Sequence, residues 1–329
     1  MPKRFHSMNR PSRARQRGFV VGVDLGASNL RVALASMDGS LVGKWRDSTK
    51  ETSSPEVAIG QIRAGVADLL ARCSVRREEL RAIGVGAPGA TDASSGIVIA
   101  TSYLGGWKNV PLRRALESAL GIPADIENDV KIAAIGEHWR GAAGRLSDFV
   151  FLAVGTGIAA GIFVHGQLLR GIDASAGEVG YLMVPGTSET PVRRGEAGPL
   201  ERAIGGEGIC AQWRRLNKRQ HSGAATPNAT EIFEMAQGGN PSAQSVLKHT
   251  SRILAYAIYN LSVVLNPSLF ILGGGVGCSR VLLAETKSIL KRYTEPAKPK
   301  LVLSTLREDA QLIGSVRLAL DRANSVTAQ

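Results

Sequence analysis

One supersecondary unit occurs twice in this chain of 329 residues. In the first copy, apolar runs over 19–25, 30–36 and 40–45 are separated by Gly26-Ala27-Ser28 and by Asp38-Gly39. The second copy has runs over 149–154, 159–164 and 167–169, separated by the glycine-rich turn at 155–158 and by His165-Gly166. Glycine turns between alternating apolar runs are typical of β-hairpins. Although such hairpins are common, two copies of this unit favour two similar α/β domains.

The remaining pattern alternates helices with short strands, which is typical of an α/β protein. Apolar residues at helical spacing predict helices over 55–73, 112–120, 130–143, 200–217 with a break at Gly205-Gly206, 230–237, 243–265 and 311–324. Short apolar runs predict further strands over 80–86, 122–126, 269–272 and 301–304, and 185–199 is predicted to be a loop.

Composition is that of a globular protein, with 44% hydrophobic residues and room for two packed domains. The three cysteines, Cys73, Cys210 and Cys278, are far apart in the sequence. They form neither a disulfide framework nor a CxxC metal pair, which favours a reducing, cytoplasmic location. The longest apolar run, 149–164, is too short and too glycine-rich to cross a bilayer, so no membrane segment is expected.

Half of the net charge of +12 lies in the first 17 residues, which contain six Lys or Arg and no acid. Such an apolar-poor segment is expected to be a disordered, solvated tail. A nucleic-acid-binding arm is the alternative, but Phe5 is the only aromatic residue among these charges. The tail also lacks the hydrophobic core of a secretory signal.

Two familiar nucleotide motifs can be tested directly. The sequence contains no GxxxxGK[ST], which excludes a P-loop. A G-x-G-x-x-G spacing occurs at 84–89, but Pro88 and a turn-rich segment follow it where a dinucleotide-binding fold requires a helix. Neither common nucleotide-binding fold is therefore indicated.

The two glycine turns of the repeated unit are better candidates for binding phosphate. Consecutive backbone amides in a glycine turn form a concave anion site, and two such turns facing each other could clamp a polyphosphate. The first turn contains Gly26, Ala27, Ser28 and Asn29, and the second contains Gly155, Thr156 and Gly157. Asp24 precedes the first turn and could hold Mg²⁺ through water, although it could also be an exposed acid at a strand end.

A carboxylate stands between these two turns, at Asp129, where the strand over 122–126 gives way to a helix. Asn and Asp are also preferred N-caps, so the pair Asn128-Asp129 could serve only to cap that helix. A carboxylate beside phosphate-binding loops could instead accept the proton of a hydroxyl that attacks a phosphoryl group. Asp129 is our candidate general base.

Five motifs in order give the chain a clear resemblance to the ROK family of sugar kinases and sugar-responsive repressors. The resemblance covers roughly residues 18–324, and its motifs are Asp24-Leu25-Gly26-Ala27-Ser28, Ile126-Glu127-Asn128-Asp129, Gly155-Thr156-Gly157-Ile158, Glu178-Val179-Gly180-Tyr181 and Leu272-Gly273-Gly274-Gly275. The resemblance implies an actin-like ATPase (ribonuclease H-like) fold, in which two α/β domains enclose a ligand cleft. It also implies a homodimer.

Roles for individual residues follow from the same resemblance. Asp129 is the implied base toward a sugar hydroxyl. Sugar-binding roles are implied for Asn128, Glu178, Tyr181, Glu201 and Gly89. ATP-binding roles are implied for the two phosphate turns and for Gly273, Gly274 and Gly275, with Mg²⁺ held at Asp24.

The departures from the family pattern bear on metal binding and on the sugar pocket. The family usually ends its E-x-G motif in a zinc-binding His, where this chain has Tyr181, and its zinc cysteines correspond to 191–201, which contains no Cys. Without His or Cys ligands a tetrahedral zinc site cannot form, so we expect no zinc. Milder changes are Ala27-Ser28, Ala159 and Lys131.

These observations favour an ATP-dependent hexokinase-type enzyme, a glucokinase acting on the 6-hydroxyl of glucose, with related hexoses open because of Tyr181. A sugar-binding regulator without kinase activity is the first alternative, although only 17 residues precede the first strand, too few for a helix-turn-helix. A kinase that uses polyphosphate is the second. We expect a basic tail at 1–17, a smaller N-terminal domain at 18–126 plus 311–329, and a larger domain at 127–310.

Overall fold

The computed structural model describes residues 18–49, 54–101, 104–193, 196–217, 226–293 and 296–327. The basic tail predicted at 1–17 lies outside these ranges. The strands are β1 (Phe19–Leu25), β2 (Asn29–Ser36), β3 (Leu41–Ser48), β4 (Leu80–Ala87), β5 (Ala90–Asp92), β6 (Ile97–Ala100), β7 (Lys108–Val110), β8 (Ala124–Asn128), β9 (Phe149–Val154), β10 (Ile158–Val164), β11 (Gln167–Leu168), β12 (Leu269–Gly273) and β13 (Leu301–Leu303).

Helices alternate with these strands, as the sequence predicts. They are α1 (Pro55–Arg72), α2 (Leu112–Leu120), α3 (Asp129–Arg140), α4 (Pro199–Ile204), α5 (Gly206–Leu216), α6 (Ala229–Gln237), α7 (Pro241–Leu265), α8 (Gly274–Gly277), α9 (Arg280–Leu290) and α10 (Ala310–Thr327). The prediction lacks α9, although Ser279 caps it with a side chain that accepts from Leu282 N.

Two five-stranded sheets have the same arrangement. The first has the order β3-β2-β1-β4-β8 and the second β11-β10-β9-β12-β13. In each, three antiparallel strands joined by hairpins are extended by two parallel strands. The repeated unit predicted from the sequence is therefore repeated in the fold.

A third sheet, β5-β6-β7, was not predicted. Residues 91–96 were expected to be turn-rich, whereas Thr91 pairs with Val98 in an antiparallel ladder. The strands are only three or four residues long, which leaves little alternation for a pattern to detect.

Helices α3 and α10 lie side by side between the two large sheets. Helix α10 packs on β1 and β4, and α3 packs on α10 and on β9 and β10. The close approach of α10 to β4 requires glycine at position 84, because a Cβ at Gly84 would lie 2.6 Å from Ala319 N. The pair connects the first sheet to the second and carries Asp129 at one end of α3.

Apolar side chains cover both faces of the first sheet. On one face α1 and α2 contribute Ile62, Leu69 and Leu116, and on the other α10 contributes Val316 and Leu320. A separate core around Phe233, Ile258 and Phe270 fills the second half of the chain. Burial of these residues fixes the strand register, because each strand must present its apolar set to a helix layer.

Candidate active site

The site begins at the corner where β8 ends and α3 starts. Asn128 has extended backbone, and its Oδ1 accepts hydrogen bonds from Val130 N at 3.0 Å and Lys131 N at 3.1 Å. Asn128 is therefore the N-cap, and Asp129 is the first residue of the helix. Asn128 fills the cap position, and the side chain of Asp129 also accepts from a first-turn amide, Val130 N.

Asp129 is held by two hydrogen bonds to one of its oxygens. Val130 N and Asn128 Nδ2 donate to Oδ1 at 2.8 and 2.9 Å. The pKa of this carboxyl is raised to about 7, chiefly by burial and also by the nearby charges of Asp24 and Glu178, while the two hydrogen bonds act to lower it. A carboxyl with a pKa near neutrality is suited to accept and release a proton.

Asn128 also fixes the turn at Gly89. Its Nδ2 donates to Gly89 O at 3.0 Å. Gly89 has a φ of +85°, a conformation that glycine adopts without strain. This bond positions the start of β5 beside Asp129. Gly89, the last residue of the G-x-G-x-x-G spacing at 84–89, therefore lies next to the candidate base.

Asp24 is the penultimate residue of β1, near this corner, and is only 7% exposed. Arg31 is opposite Asp24 in the β1–β2 ladder, and its Nη2 and Nε lie 2.7 and 2.8 Å from Asp24 Oδ2. Burial raises the pKa of Asp24 even though Arg31 favours the charged form. The sequence analysis missed Arg31, yet the register of the predicted hairpin would have paired the two residues.

The first phosphate turn follows Asp24. Gly26 N donates to Asn29 O at 2.9 Å, which closes the turn. The amide oxygen of Asn29 accepts from Arg46 Nη2 at 2.7 Å, so that side chain is engaged with β3. Ala27 and Ser28 complete the turn, with Ser28 exposed. Backbone amides, rather than the Asn29 side chain, are the groups this turn can offer to phosphate.

Three glycine-rich segments meet around the second phosphate turn. Gly206 N donates to Gly155 O at 2.8 Å, and a Cβ at Gly155 would lie 3.9 Å from Gly275 N. A Cβ at Gly274, whose φ is +81°, would lie close to Val154 O. A Cβ at Gly275 would meet no atom within 4 Å, so this position faces the open space beside the turns. The predicted residues Gly155, Thr156, Gly157, Gly273, Gly274 and Gly275 lie in two of these segments.

An open cavity of about 830 Å³ adjoins this region. Five of the predicted residues line it, namely Gly89, Thr156, Glu178, Tyr181 and Glu201. Six further polar residues also line it and were not predicted, namely Thr101, Asp173, Ser175, Glu196, Arg202 and Glu207. Carboxylates outnumber the one arginine, so the cavity is acidic overall.

Two of the predicted glutamates belong to segments that pack against each other at the cavity wall. Oε2 of Glu201 accepts a hydrogen bond from Ile158 N at 3.1 Å, which orients it at the start of β10. Glu178 precedes a short 3-10 helix at Val179–Tyr181, and a Cβ at Gly180 would lie 3.3 Å from Glu201 Oε2. The E-x-G motif and α4 therefore come together only in the tertiary structure.

The segment before α4 is held by protein contacts. The hydroxyl of Tyr181 donates to Glu196 O at 2.8 Å, and Arg202 Nη2 lies 3.3 Å from Glu196 Oε2. Tyr181 thus anchors the loop that the family pattern would hold with zinc. Among the residues described, no three His, Cys, Asp or Glu side chains are grouped to hold a metal ion.

A second loop borders the cavity and is attached to the same corner. Lys131 Nζ donates to Ala174 O at 2.6 Å, and burial lowers the pKa of this lysine. Arg170 Nε lies 2.7 Å from Glu127 Oε2, whose residue is 1% exposed. These contacts, which were not predicted, fix the loop containing Asp173 and Ser175 relative to Asn128 and Asp129.

The residues present fit a nucleotide and Mg²⁺. The position of Gly275 faces open space beside the meeting glycine turns, and the backbone amides of these turns suit phosphate oxygens. The ion pair of Asp24 with Arg31 uses Oδ2, and a carboxylate at this place could hold a hydrated Mg²⁺.

In the described ranges, no helix is both long and apolar enough to span a bilayer.

Comparison with known proteins agrees with this arrangement. The family model for the ROK family matches residues 20–322. A glucokinase of Halalkalibacterium halodurans is 29% identical over 318 residues, covering 93% of this chain and 96% of that protein. A glucokinase of Thermotoga maritima is 29% identical over 315 residues, covering 92% and 98% respectively.

Among solved structures, a ROK hexokinase from Thermus thermophilus superposes with a TM-score of 0.76 at 28% identity, covering 94% of this chain and all of that one. The fold is therefore the actin-like ATPase fold, as the resemblance implied. Because the family model spans nearly the whole chain, this protein belongs to the ROK family.

Proposed function

We propose that this protein is an ATP-dependent sugar kinase that transfers the γ-phosphoryl group to a hexose hydroxyl, with glucose and its 6-hydroxyl as the acceptor. The observation that carries the proposal is the carboxyl of Asp129, whose pKa is about 7, near the wall of an acidic cavity. The similar proteins from Halalkalibacterium halodurans and Thermotoga maritima are glucokinases, which supports the choice of glucose.

The acceptor's chemistry follows from the charges that line the cavity. The cavity is lined by one arginine, Arg202, and by five acids, namely Asp173, Glu178, Glu196, Glu201 and Glu207. Carboxylates accept hydrogen bonds from hydroxyl groups and repel anions. A neutral polyhydroxylated acceptor therefore suits the cavity better than a sugar acid or a sugar already carrying phosphate.

In the proposed reaction, Asp129 takes the proton of the acceptor hydroxyl as its oxygen attacks the γ-phosphorus. A new P–O bond forms to the sugar, the bond between the γ-phosphorus and the β-bridging oxygen breaks, and ADP leaves with that oxygen. Asn128 keeps Asp129 oriented through the 2.9 Å hydrogen bond to Oδ1. ATP would supply the phosphoryl group, and Mg²⁺ would neutralise part of the phosphate charge.

The other residues bind and position the reactants. Glu178 and Glu201 would accept hydrogen bonds from sugar hydroxyls, and Gly89, Asn128 and Tyr181 complete the sugar pocket. The turns at 26–29 and 155–157 would bind phosphates through backbone amides, and Gly273, Gly274 and Gly275 would line the adenosine site. Asp24 would hold Mg²⁺ through water.

The proposal includes two domains that close on the sugar and exclude water. Their expected boundaries, 18–126 plus 311–329 and 127–310, are supported by the packing of α10 on β1 and β4. Helix α3 contacts α10 and the second sheet as well, so it lies where the two units would move relative to each other.

A coupled assay of ADP release tests the proposal over a panel of glucose, mannose, allose, fructose and N-acetylmannosamine. We expect turnover with ATP and Mg²⁺ that is highest on glucose. The Asp129→Asn variant should lose at least about 10²-fold in kcat while binding glucose with similar affinity. Absence of turnover on every sugar with both ATP and polyphosphate would refute a kinase and leave a sugar-binding regulator. Turnover with polyphosphate alone would refute ATP as the donor.

A further inference from the structure

A second cavity, of about 880 Å³, is lined in part by Arg170, whose Nε pairs with Glu127. It is formed by the second half of α3, by α10 and by the hairpin of β10 and β11. None of its lining residues is shared with the acidic cavity beside Asp129. It also spans the two sheets, because α10 packs on the first and the β10–β11 hairpin belongs to the second.

The charge of this second cavity is opposite to that of the first. Three arginines, Arg145, Arg170 and Arg317, line it together with one acid, Asp321. Asp321 is already paired, since Arg317 Nε donates to its Oδ2 at 3.0 Å. Arg170 uses its Nε for Glu127. The lining therefore has an excess of positive charge.

Of the three arginines, only Arg145 has a side chain without a partner among the described residues. Its guanidinium makes no hydrogen bond or ion pair with any residue in the described ranges. Arg145 lies in the turn that follows α3. Its φ is +68°, a conformation uncommon for a residue other than glycine. Its backbone N donates to His138 O at 3.2 Å, which holds this conformation beside the cavity.

His138 brings the positive groups together. Its ring stacks on Phe163 with centroids 4.7 Å apart. Burial lowers the pKa of His138, and the charges of Arg317 and Arg145 lower it further. Both arginines are thus close enough to act on the same ring, and the neutral imidazole retains a ring N–H as a donor.

The remaining lining decides the ligand's size and shape. Apolar side chains of Ile135, Phe163, Leu168 and Leu318 form part of the wall. Trp139 lines the cavity too, with the guanidinium of Arg317 5.8 Å from its ring centroid. A lone inorganic ion would leave the apolar part of this volume unfilled.

We propose that this cavity, between α3, α10 and the β10–β11 hairpin, is a binding site for a small phosphate monoester. Arg145 and Arg317 would bind the phosphate group, because guanidinium groups match the geometry of phosphate oxygens. The apolar wall would take the organic part of the ligand. This inference does not depend on the proposed kinase activity.

Isothermal titration calorimetry with phenyl phosphate and with inorganic phosphate tests the site in the absence of sugar and nucleotide. We expect phenyl phosphate to bind more tightly than inorganic phosphate. Arg145→Gln should weaken binding of phenyl phosphate about tenfold, because it removes one charged donor. Arg114→Gln is the matched control, since Arg114 is exposed on α2 outside the cavity, and it should leave the affinity unchanged.

Arg317→Gln is a second variant for the same titration with phenyl phosphate. Thermal melts check that each variant is folded. Arg145 is exposed and unbonded, so Arg145→Gln is expected to fold. A phenyl phosphate affinity that both Arg145→Gln and Arg317→Gln leave unchanged would place binding elsewhere and overturn the proposal. Absence of binding to the wild-type protein would overturn it as well. Equal affinity for the two probes would refute the assignment of the apolar wall.

Discussion

Arg170 Nε lies 2.7 Å from Oε2 of Glu127, and this ion pair joins the loop after β11 to the strand that leads into Asp129. The other oxygen of Glu127 accepts from Asn128 N at 2.9 Å. Glu127 is 1% exposed, whereas the Arg170 side chain is 46% exposed. Arg170 therefore supplies the positive partner of the buried Glu127 carboxylate, while the Arg170 side chain itself remains partly open to solvent.

Removing the arginine should destabilise the protein. We expect Arg170→Gln to lower the free energy of unfolding by about 1–3 kcal/mol, because Glu127 would keep a buried charge without its cation. Removal of the arginine would destabilise the protein more if both partners were fully buried. Urea unfolding measures the change. Arg72→Gln, which breaks the exposed pair with Asp68, should change stability by no more than about 1 kcal/mol. An equal loss in both variants would contradict a special role for Glu127.

The pH dependence of turnover should reflect Asp129. With a pKa of about 7, the carboxyl is protonated and inactive as a base at lower pH, and it is ionised at higher pH. We expect kcat/KM on the best sugar to rise through about pH 7 and then level off. Initial rates measured at fixed ionic strength test this. A flat profile from about pH 5 to about pH 8 would contradict Asp129 as the base.

Stability should also depend on this carboxyl, with a definite sign. Its pKa is raised from 3.8 to about 7 in the folded state, so between these values the folded protein binds a proton that the unfolded chain releases. Wild-type stability attributable to this group therefore falls as pH rises across that window. The Asp129→Asn variant lacks this loss, and its stability relative to wild type should increase with pH until about 7.

Asp92→Asn is the control for that measurement. Hydrogen bonds from Ser94 and Ser95 lower the pKa of Asp92 to about 2, so this group remains ionised across the window. Thermal melts at several pH values should show a constant difference between Asp92→Asn and wild type. A constant difference for Asp129→Asn as well would show that the pKa of Asp129 is not raised.

Tyr181 should act on sugar binding through the loop that it anchors. Tyr181→Phe removes the hydrogen bond to Glu196 O but retains the ring. We expect KM for the sugar to rise about three- to tenfold with little change in kcat, since loss of one hydrogen bond costs about 1 kcal/mol. Tyr293→Phe, in a tyrosine cluster with Tyr256 and Tyr259, should leave KM unchanged. A fall in kcat alone would indicate a different role for Tyr181.

Close packing of α10 on the first sheet gives a prediction about stability. Gly84→Ala would place a Cβ 2.6 Å from Ala319 N, and we expect a loss of about 1–3 kcal/mol or more. Gly60→Ala adds the same methyl group on α1, where no atom lies within 4 Å, and should stabilise by about 0.5–1 kcal/mol. Urea unfolding compares the two. Similar changes in both variants would contradict the packing argument.

Local pattern was enough to predict most of the architecture. The two hairpin units, the strands that extend them and most helices follow from alternation, helical spacing and glycine turns. The small sheet β5-β6-β7 was missed because strands of three or four residues carry little pattern, and α9 was not assigned although Ser279 caps it.

The candidate site was predicted in part. Asp129, Asn128, Glu178 and Glu201 come from different segments of the sequence, and motif resemblance was needed to associate them. Arg31 could have been found from the hairpin register, because it is directly opposite Asp24. Nothing in local sequence indicates that Arg202 and Glu207 line the same cavity as Gly89.

The sequence by itself determined the repeated α/β units, the glycine turns and the place of Asp129 at a strand-to-helix corner, because these depend on neighbours along the chain. Only the tertiary structure decided the raised pKa of Asp129, the opposite charges of the two cavities and the pairing of Arg170 with Glu127. Burial and charge interactions arise between segments that are distant in sequence, so packing of α3 and α10 between the two sheets was required to establish them.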